Sequence, residues 1–418
     1  MLNKRDFLLA GGSALAVTAA GCADKPSAVT KPAALTSMTG GAVAITASEH
    51  AARIAKAQSL MRERGIGALI IEAGTSLRYF TGIRWWRSER LTAAVIPYEG
   101  DIAIVTPHFE EPSIRESLKV AGDVRTWHEH ENPHRLVAGI LSDRGITDGK
   151  VAFEDTERFF AAYGLSEMAT RYDIVSGGDI IWGCRMYKSP AELALMQLAN
   201  DVTAASYHHI LPRIEAGMSQ GDISKMMSEA TRALGASPEF SMALIGESSA
   251  YPHGSDKPQN VKDGDIILMD CGANVQGYQS DISRTFVYGE PSKRQRDIWT
   301  LVRDGQALAF ETAQIGVETG VVDDTVRAFY EANGFGPGYK TPGLPHRLGH
   351  GIGMDGHEHA NFVRGETAKL APGMCLSNEP GLYIYGEFGV RIEDCLYMTE
   401  SGPKYFSQPP RSLDNPLG

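Results

Sequence analysis

Gly264-Asp265-Ile266-Ile267-Leu268-Met269-Asp270-Cys271-Gly272 and Gly373-Met374-Cys375-Leu376-Ser377-Asn378-Glu379-Pro380-Gly381 share one pattern. In each, a glycine precedes a carboxylate by six residues, and a second glycine follows two residues later. The match extends downstream, where Gly277 precedes Asp281 by four and Gly389 precedes Glu393 by four. Upstream, Gly217-Met218-Ser219-Gln220-Gly221 opens a helical pattern closing at Gly235, and Gly316-Val317-Glu318-Thr319-Gly320 opens another closing at Gly334. The second half of the chain is therefore an internal duplication, each copy supplying a two-strand element with two carboxylates. Packed about a pseudo-twofold axis, the copies bring Asp270, Asp281, Glu379 and Glu393 to one centre. Four converging carboxylates cannot all stay ionised in a protein interior without cations, and two divalent metal ions would neutralise them. Four unrelated surface carboxylates would be the ordinary alternative; spacing matched in both copies argues against it. The run Ile266–Met269 places Asp270 at the end of a buried strand, where an unpaired charge is expensive.

The remaining sequence frames this centre. A chain of 418 residues suits two or three domains, and 43% hydrophobic with 22% charged residues excludes wholesale disorder. Its net charge of −11 argues against capture of nucleic acid or of an anionic membrane. Residues 1–22 combine Lys4-Arg5, an apolar run from Phe7 to Ala20, and Ala19-Ala20-Gly21 before Cys22, the layout of an export signal. Lys4-Arg5-Asp6-Phe7-Leu8 resembles a twin-arginine motif with lysine in the first place, and Ala-Ala-Gly-Cys resembles a lipoprotein cleavage box. The expected location is the periplasm or cell envelope, either with a lipid anchor at Cys22 or with an incidental cysteine there. Residues 23–45, rich in Ala, Ser, Thr and Pro, read as a linker. Cys184, Cys271, Cys375 and Cys395 have no CxxC spacing and read as buried thiols.

Residues 46–185 alternate helical and strand patterns, with apolar runs at Ala68–Ile71, Thr92–Ile96 and Ile102–Val105, and predict an α/β domain. Within it, Trp85-Trp86 reads as a packed loop at a domain or subunit contact, and a homodimer is expected. A second domain, 189–418, opens at Ser189-Pro190, where Ser189 and Glu192 form a capping box and Pro190 takes the first helical position.

His346 and His350 lie four apart, but the interval lacks the glutamate of a zinc-protease helix and is interrupted by glycines. An extended segment with one ligand histidine follows. His357 lies seven residues beyond His350, while His208, His209 and His359 read as structural.

Asp270-x-Gly272, Asp281-Ile282-Ser283-Arg284-Thr285, Gly349-His350-Gly351-Ile352-Gly353, Asn378-Glu379-Pro380-Gly381 and Arg391-Ile392-Glu393-Asp394 together resemble the pita-bread metallopeptidases, the group of aminopeptidase P, prolidase and methionine aminopeptidase. The resemblance spans residues 190–400, and the preceding domain is similar in place and character to a creatinase/prolidase N-terminal domain, which favours the proline-specific branch. It implies an α/β (α+β) fold: a creatinase-like domain, then a duplicated pita-bread domain. It implies metal ligands Asp270, Asp281, His350, Glu379 and Glu393, with Glu379 also the general base. His253, His346 and His357 would stand on the substrate side, and Arg391 would orient a ligand carboxylate from the same strand face as Glu393. At 357–360 the family's His-Glu-x-Pro is altered, Ala360 replacing the proline. Four oxygen ligands and one imidazole suit manganese, with cobalt, zinc or iron as other fits. The implied reaction is hydrolysis of an Xaa-Pro bond in a peptide with proline second, by a metal-activated water. Hydrolase or lyase action on a small non-peptide metabolite is the competing reading. A silent binding module would need eroded ligands, and none is eroded.

Overall fold

In the computed structural model, which describes residues 35–418, the first domain runs α1 (Ala47–Arg64), β1 (Ile66–Glu72), α2 (Thr75–Thr81), β2 (Ala93–Pro97), β3 (Ile102–Pro107), α3 (Glu111–Ser117), β4 (Gly122–Trp127), α4 (Pro133–Asp143), β5 (Gly149–Phe153), α5 (Phe159–Met168), β6 (Tyr172–Ser176) and α6 (Gly178–Arg185). The three apolar runs become β1, β2 and β3. Their residues are buried on both faces because helices cover the sheet, which explains why they show no alternation. The sheet order is β4-β3-β2-β1-β5-β6, antiparallel across β3-β2-β1 and parallel at both flanks.

The second domain runs α7 (Pro190–Ile210), α8 (Gln220–Ala233), β7 (Ser237–Ile245), β8 (Ile266–Val275), β9 (Tyr278–Gln279), β10 (Ile282–Val287), α9 (Lys293–Thr312), α10 (Thr319–Ala332), β11 (Gly349–Gly351), β12 (Glu358–Phe362), β13 (Cys375–Asn378), β14 (Gly381–Ile384), β15 (Phe388–Arg391), β16 (Asp394–Thr399) and β17 (Gly402–Tyr405). Each copy is a helix pair followed by strands. The Ser189–Glu192 capping box starts α7, and a Ser292–Gln295 box starts α9. Gly217 and Gly316 precede α8 and α10, and Gly235 and Gly334 follow them. All four have φ between 83° and 94°, where a side chain would be strained.

Two expectations change. Asp270 is not at a strand end: β8 continues to Val275, and Asp270 lies opposite Ser283 of β10 and Met242 of β7. Nor are Gly277 and Gly389 equivalent. Gly277 turns the chain at φ 101°, whereas Gly389 sits inside β15, where a Cβ would fall 2.0 Å from the Ser249 carbonyl oxygen. One glycine serves a turn and the other a close backbone approach, so their equal spacing to a carboxylate has two causes.

The export signal with Cys22, and linker residues 23–34, lie outside the described residues. The linker's end is not a free tether: Met38 N donates to Leu234 O and Thr39 Oγ1 to Gly235 O, both at 2.8 Å, pinning it to the end of α8. Cys184, Cys271, Cys375 and Cys395 are buried free thiols, as expected. Residues 36–418 form one compact unit. Its two domains meet across a polar seam. Arg53 of α1 reaches Tyr278 OH at 2.8 Å and Glu192 at 3.0 Å, and Arg185 of α6 reaches Asp355 at 2.7 Å and Glu358 at 2.5 Å.

Candidate metal centre

The carboxylates converge because each sits at or beside a sheet rung. Ile282 pairs with Cys271, so Asp281 comes off β10 two rungs from Asp270 on the same face. In the other copy Asn378 pairs with Asp394 as the last rung, and Glu379 and Glu393 follow directly beyond it. His350 enters from β11, which pairs with β13 through Gly351 and Leu376. Gly349 permits that approach: a Cβ there would lie 2.1 Å from Ser377 O. The five predicted ligands line one cavity of about 150 Å³, together with His253, His346, Arg347, His357 and Arg391.

His350 is a buried neutral imidazole, its pKa pushed down to about 3 by burial and by neighbouring His357. Its Nδ1–H donates to Gly351 O at 3.1 Å, which leaves Nε2 as a lone-pair donor. Nε2 lies 3.2 Å from Glu379 Oε1 and 3.6 Å from Asp281 Oδ2. Ligand atoms of Asp281, His350 and Glu393 fall within 4.8 Å of one another. Asp270 Oδ1, Asp281 Oδ1 and Glu393 Oε1 are buried without any hydrogen-bond partner. Burial, then the neighbouring carboxylates, drive the pKa values of Asp281 and Glu393 well above the usual range. Burial also lifts Glu379 to about 7, against the pull of Arg391. Orphaned carboxylate oxygens in one cavity with a deprotonated imidazole nitrogen are a donor set for a hard divalent cation, which would pull the carboxylate pKa values back down and keep His350 neutral. The residues fit the metal.

Arg391 does orient carboxylates, but its main partner differs from the expected one. Nη2 binds Asp270 Oδ2 at 2.5 Å, while Glu393 is 3.9 Å from Nε. The strand breaks between Arg391 and Asp394, so Arg391 and Glu393 do not share a regular strand face. Nε instead donates to Ser283 Oγ at 2.9 Å, and Ser283 donates to Glu393 Oε2 at 2.7 Å. One guanidinium thus holds a carboxylate from each copy. Ser377 similarly donates to Glu379 Oε1 at 3.2 Å. Neither serine was singled out from sequence, although each lies two residues from a ligand and so shares its face.

Of the three substrate-side histidines, His346 is occupied at both nitrogens. Nδ1–H donates to Arg347 O at 2.7 Å, and Nε2 accepts from Tyr383 OH at 3.0 Å. Arg391 Nη1 donates to that same Tyr383 oxygen at 3.0 Å, which fixes the direction of the chain. His346 is therefore a braced wall of the cavity. His357 packs edge-on against His350, ring centroids 4.2 Å apart, and makes no side-chain hydrogen bond among the described residues. Burial, followed by nearby Arg347, lowers its pKa. His253 is exposed at the cavity mouth beside Pro252. Asp394 is paired with Arg284 at 2.7 Å behind the site and is not among the cavity-lining carboxylates.

Residues 194–400 match the profile of Metallopeptidase family M24, and residues 53–187 match the Creatinase/Prolidase N-terminal domain. The chain is 30% identical over 376 residues to the probable dipeptidase PepE of Mycobacterium tuberculosis, covering 88% of this chain and 96% of that protein. It is 30% identical over 365 residues to the Xaa-Pro dipeptidase of Lactobacillus helveticus, covering 86% and 97%. The crystal structure of dipeptidase PepE from Mycobacterium ulcerans superposes with a TM-score of 0.81 at 29% identity, covering 88% of this chain and 98% of that one.

Proposed function

The chain belongs to metallopeptidase family M24, and from that premise we propose that it hydrolyses the Xaa-Pro bond at peptide N-termini, using two divalent ions, manganese first among them. The carrying observation is the trio of buried oxygens on Asp270, Asp281 and Glu393, without hydrogen-bond partners among the described residues, in the cavity that His350 also lines. Asp270, Asp281, His350, Glu379 and Glu393 would hold the ions. When bound, such ions acidify water and polarise a carbonyl oxygen.

The protein's own groups supply the rest. Glu379, braced by Ser377, is placed to take the proton of an attacking water. His357, free of other hydrogen bonds, can donate to the developing oxyanion or pass a proton to the departing imide nitrogen. Arg391 holds Asp270 directly and Glu393 through Ser283, so the donor set is fixed before substrate arrives.

Release of the first residue from Xaa-Pro peptides should vanish on chelation, return with Mn²⁺, and be absent in Glu379→Ala. Full activity after exhaustive chelation would refute the reading, and calorimetric titration counts the ions. Location and assembly belong to the same proposal. The Lys4–Cys22 segment supports export to the periplasm or cell envelope, with Cys22 as the anchor position. The stacked Trp85–Trp86 pair, rings 5.3 Å apart and Trp86 72% exposed, supports a homodimer contact. Cell fractionation and sedimentation check these.

A further inference from the structure

Apart from the metal centre, five basic side chains line a cavity of about 100 Å³ where the two domains meet. His50 and Arg53 come from α1, Arg78 from α2, Arg84 from the loop after α2, and Lys119 from the segment after α3. Among the described residues no carboxylate lines this cavity. Arg53 is neutralised from behind by Glu192 at 3.0 Å and donates to Tyr79 O and Tyr278 OH. Arg78, Arg84 and Lys119 make no ion pair among the described residues. Glu239, which shares an adjoining cavity with Arg78 and Arg84, is engaged by Asn274 at 3.0 Å. Both arginines grip one residue of the second domain, Gln276 in the turn from β8 to β9: Arg78 Nη2 donates to its carbonyl oxygen and Arg84 Nη2 to Oε1 at 3.1 Å. Burial, then Arg84, pushes the Arg78 pKa down to about 10.

Three cations around one small cavity repel one another, and a bound anion removes that repulsion. Guanidinium and ammonium groups with unused donors select an oxyanion. Size restricts the choice: at roughly 30 Å³ per water the cavity holds about three waters, room for one inorganic ion and not for a nucleotide. His50 restricts it further. Its Nδ1–H donates to Tyr79 O at 2.8 Å, so the buried neutral ring offers Nε2 as an acceptor, unpartnered among the described residues. A Cβ on Gly82 would fall 3.5 Å from that Nε2 and 2.4 Å from Lys119 Cγ, which places imidazole and lysine at the same wall. An ion seated there must accept from cations and also donate to an imidazole. Hydrogen phosphate does both, whereas sulfate has no proton to give. We propose that this cavity binds hydrogen phosphate, held by Arg78, Arg84 and Lys119, with His50 Nε2 accepting from the ion's O–H. The ion fixes the two arginines that grip Gln276 and so clasps the first domain onto the second.

The test titrates the full chain with inorganic phosphate in a calorimeter at about pH 8, once loaded with manganese and once after chelation. Saturable binding should appear in both, which separates this cavity from the metal centre. A hundredfold excess of phosphate over its Kd should raise Tm by about 3 °C. Arg84 and Lys119 are exposed, so the double variant Arg84→Gln, Lys119→Gln should melt no lower than wild type in phosphate-free buffer. It should nevertheless lose phosphate affinity at least tenfold, and the Tm rise with it, while Arg84→Lys keeps part of both. Sulfate should bind wild type at least tenfold more weakly than phosphate. No saturable binding, binding that the double variant keeps, or binding abolished by chelation overturns the proposal. Equal affinity for sulfate overturns the choice of hydrogen phosphate.

Discussion

Replacing Arg185 by methionine removes the cation that joins the two domains beside the reaction cavity. The Arg185 side chain is 8% exposed and is held by Glu358 at 2.5 Å, Asp355 at 2.7 Å and Ser76 Oγ at 2.9 Å. Methionine keeps the stem's packing and deletes the charge, which leaves Lys188 at 2.8 Å as the cation paired with Glu358, itself 5% exposed. Removing one member of a buried pair costs about 3–5 kcal/mol. With Lys188 still present the lower end, about 3 kcal/mol, is expected. Unfolding entropy of roughly 2.1 cal/mol/K per residue over residues 35–418 amounts to about 0.8 kcal/mol/K, so Tm should fall by about 4 °C if the unit melts together. Differential scanning calorimetry on metal-free protein reads this directly. Glu358→Gln should cost less in this background than alone, because its ion pair with Arg185 is already gone, giving a coupling energy above about 1 kcal/mol. A single variant that melts within 1 °C of wild type would refute the seam, as would a double variant whose loss is the plain sum.

Four further outcomes follow from the same geometry. Burial alone would raise the Glu358 pKa, but Arg185 and Lys188 overcome it and hold the carboxyl at about 2, against 4.5 as its ordinary value. A depressed carboxylate stabilises the fold above the unfolded pKa, so about 3 kcal/mol should be lost as pH falls from about 4.5 to 2, and Glu358→Gln should flatten that part of the pH–stability curve. Asp281→Asn should raise the Tm of metal-free protein, by removing a buried like charge, and weaken calorimetric Mn²⁺ binding at least tenfold. Gly389→Ala, whose Cβ would meet Ser249 O at 2.0 Å and the Tyr383 ring at 2.7 Å, should cost about 3 kcal/mol or more in denaturant titration. Gly139→Ala in α4, with open space around it, should be neutral or stabilising.

Local signals were legible where the physics is local. The Ser189–Glu192 box, the apolar runs of β1 to β3, and the glycines flanking α8 and α10 report backbone demands met within a few residues. The meeting of the four carboxylates in one cavity was legible because a glycine precedes Asp270 and Glu379 by six residues in both copies. What stayed hidden depends on long-range packing. No spacing tells that Arg391 spans from Asp270 to Ser283, 121 and 108 residues away, or that Tyr383 occupies the free nitrogen of His346. The equal spacing of Gly277 and Gly389 misled for the same reason: sequence records that a glycine is needed, not whether a turn or a neighbouring carbonyl demands it.

The duplicated half accounts for the carboxylates but not for the asymmetry that a hydrolase needs. His350 of the second copy is buried among the carboxylates, whereas the first copy's cavity-lining imidazole, His253, is exposed at the mouth beside Pro252. Asymmetry also comes from outside the duplication. The first domain places no residue in the wall of the catalytic cavity, yet its Arg185 and Thr75 clamp the segment from Asp355 to Glu358 that carries His357. The His357 side chain makes no hydrogen bond among the described residues, so its position rests on its neighbours. Glu358 Oε1 accepts from Met354 N at 2.9 Å and Asp355 N at 3.2 Å, closing the loop on the same carboxylate that Arg185 holds. A tight, charge-anchored loop keeps that imidazole in the cavity wall, and its charge comes from the neighbouring domain. Truncating that domain would remove the loop's anchor rather than a group of the cavity wall.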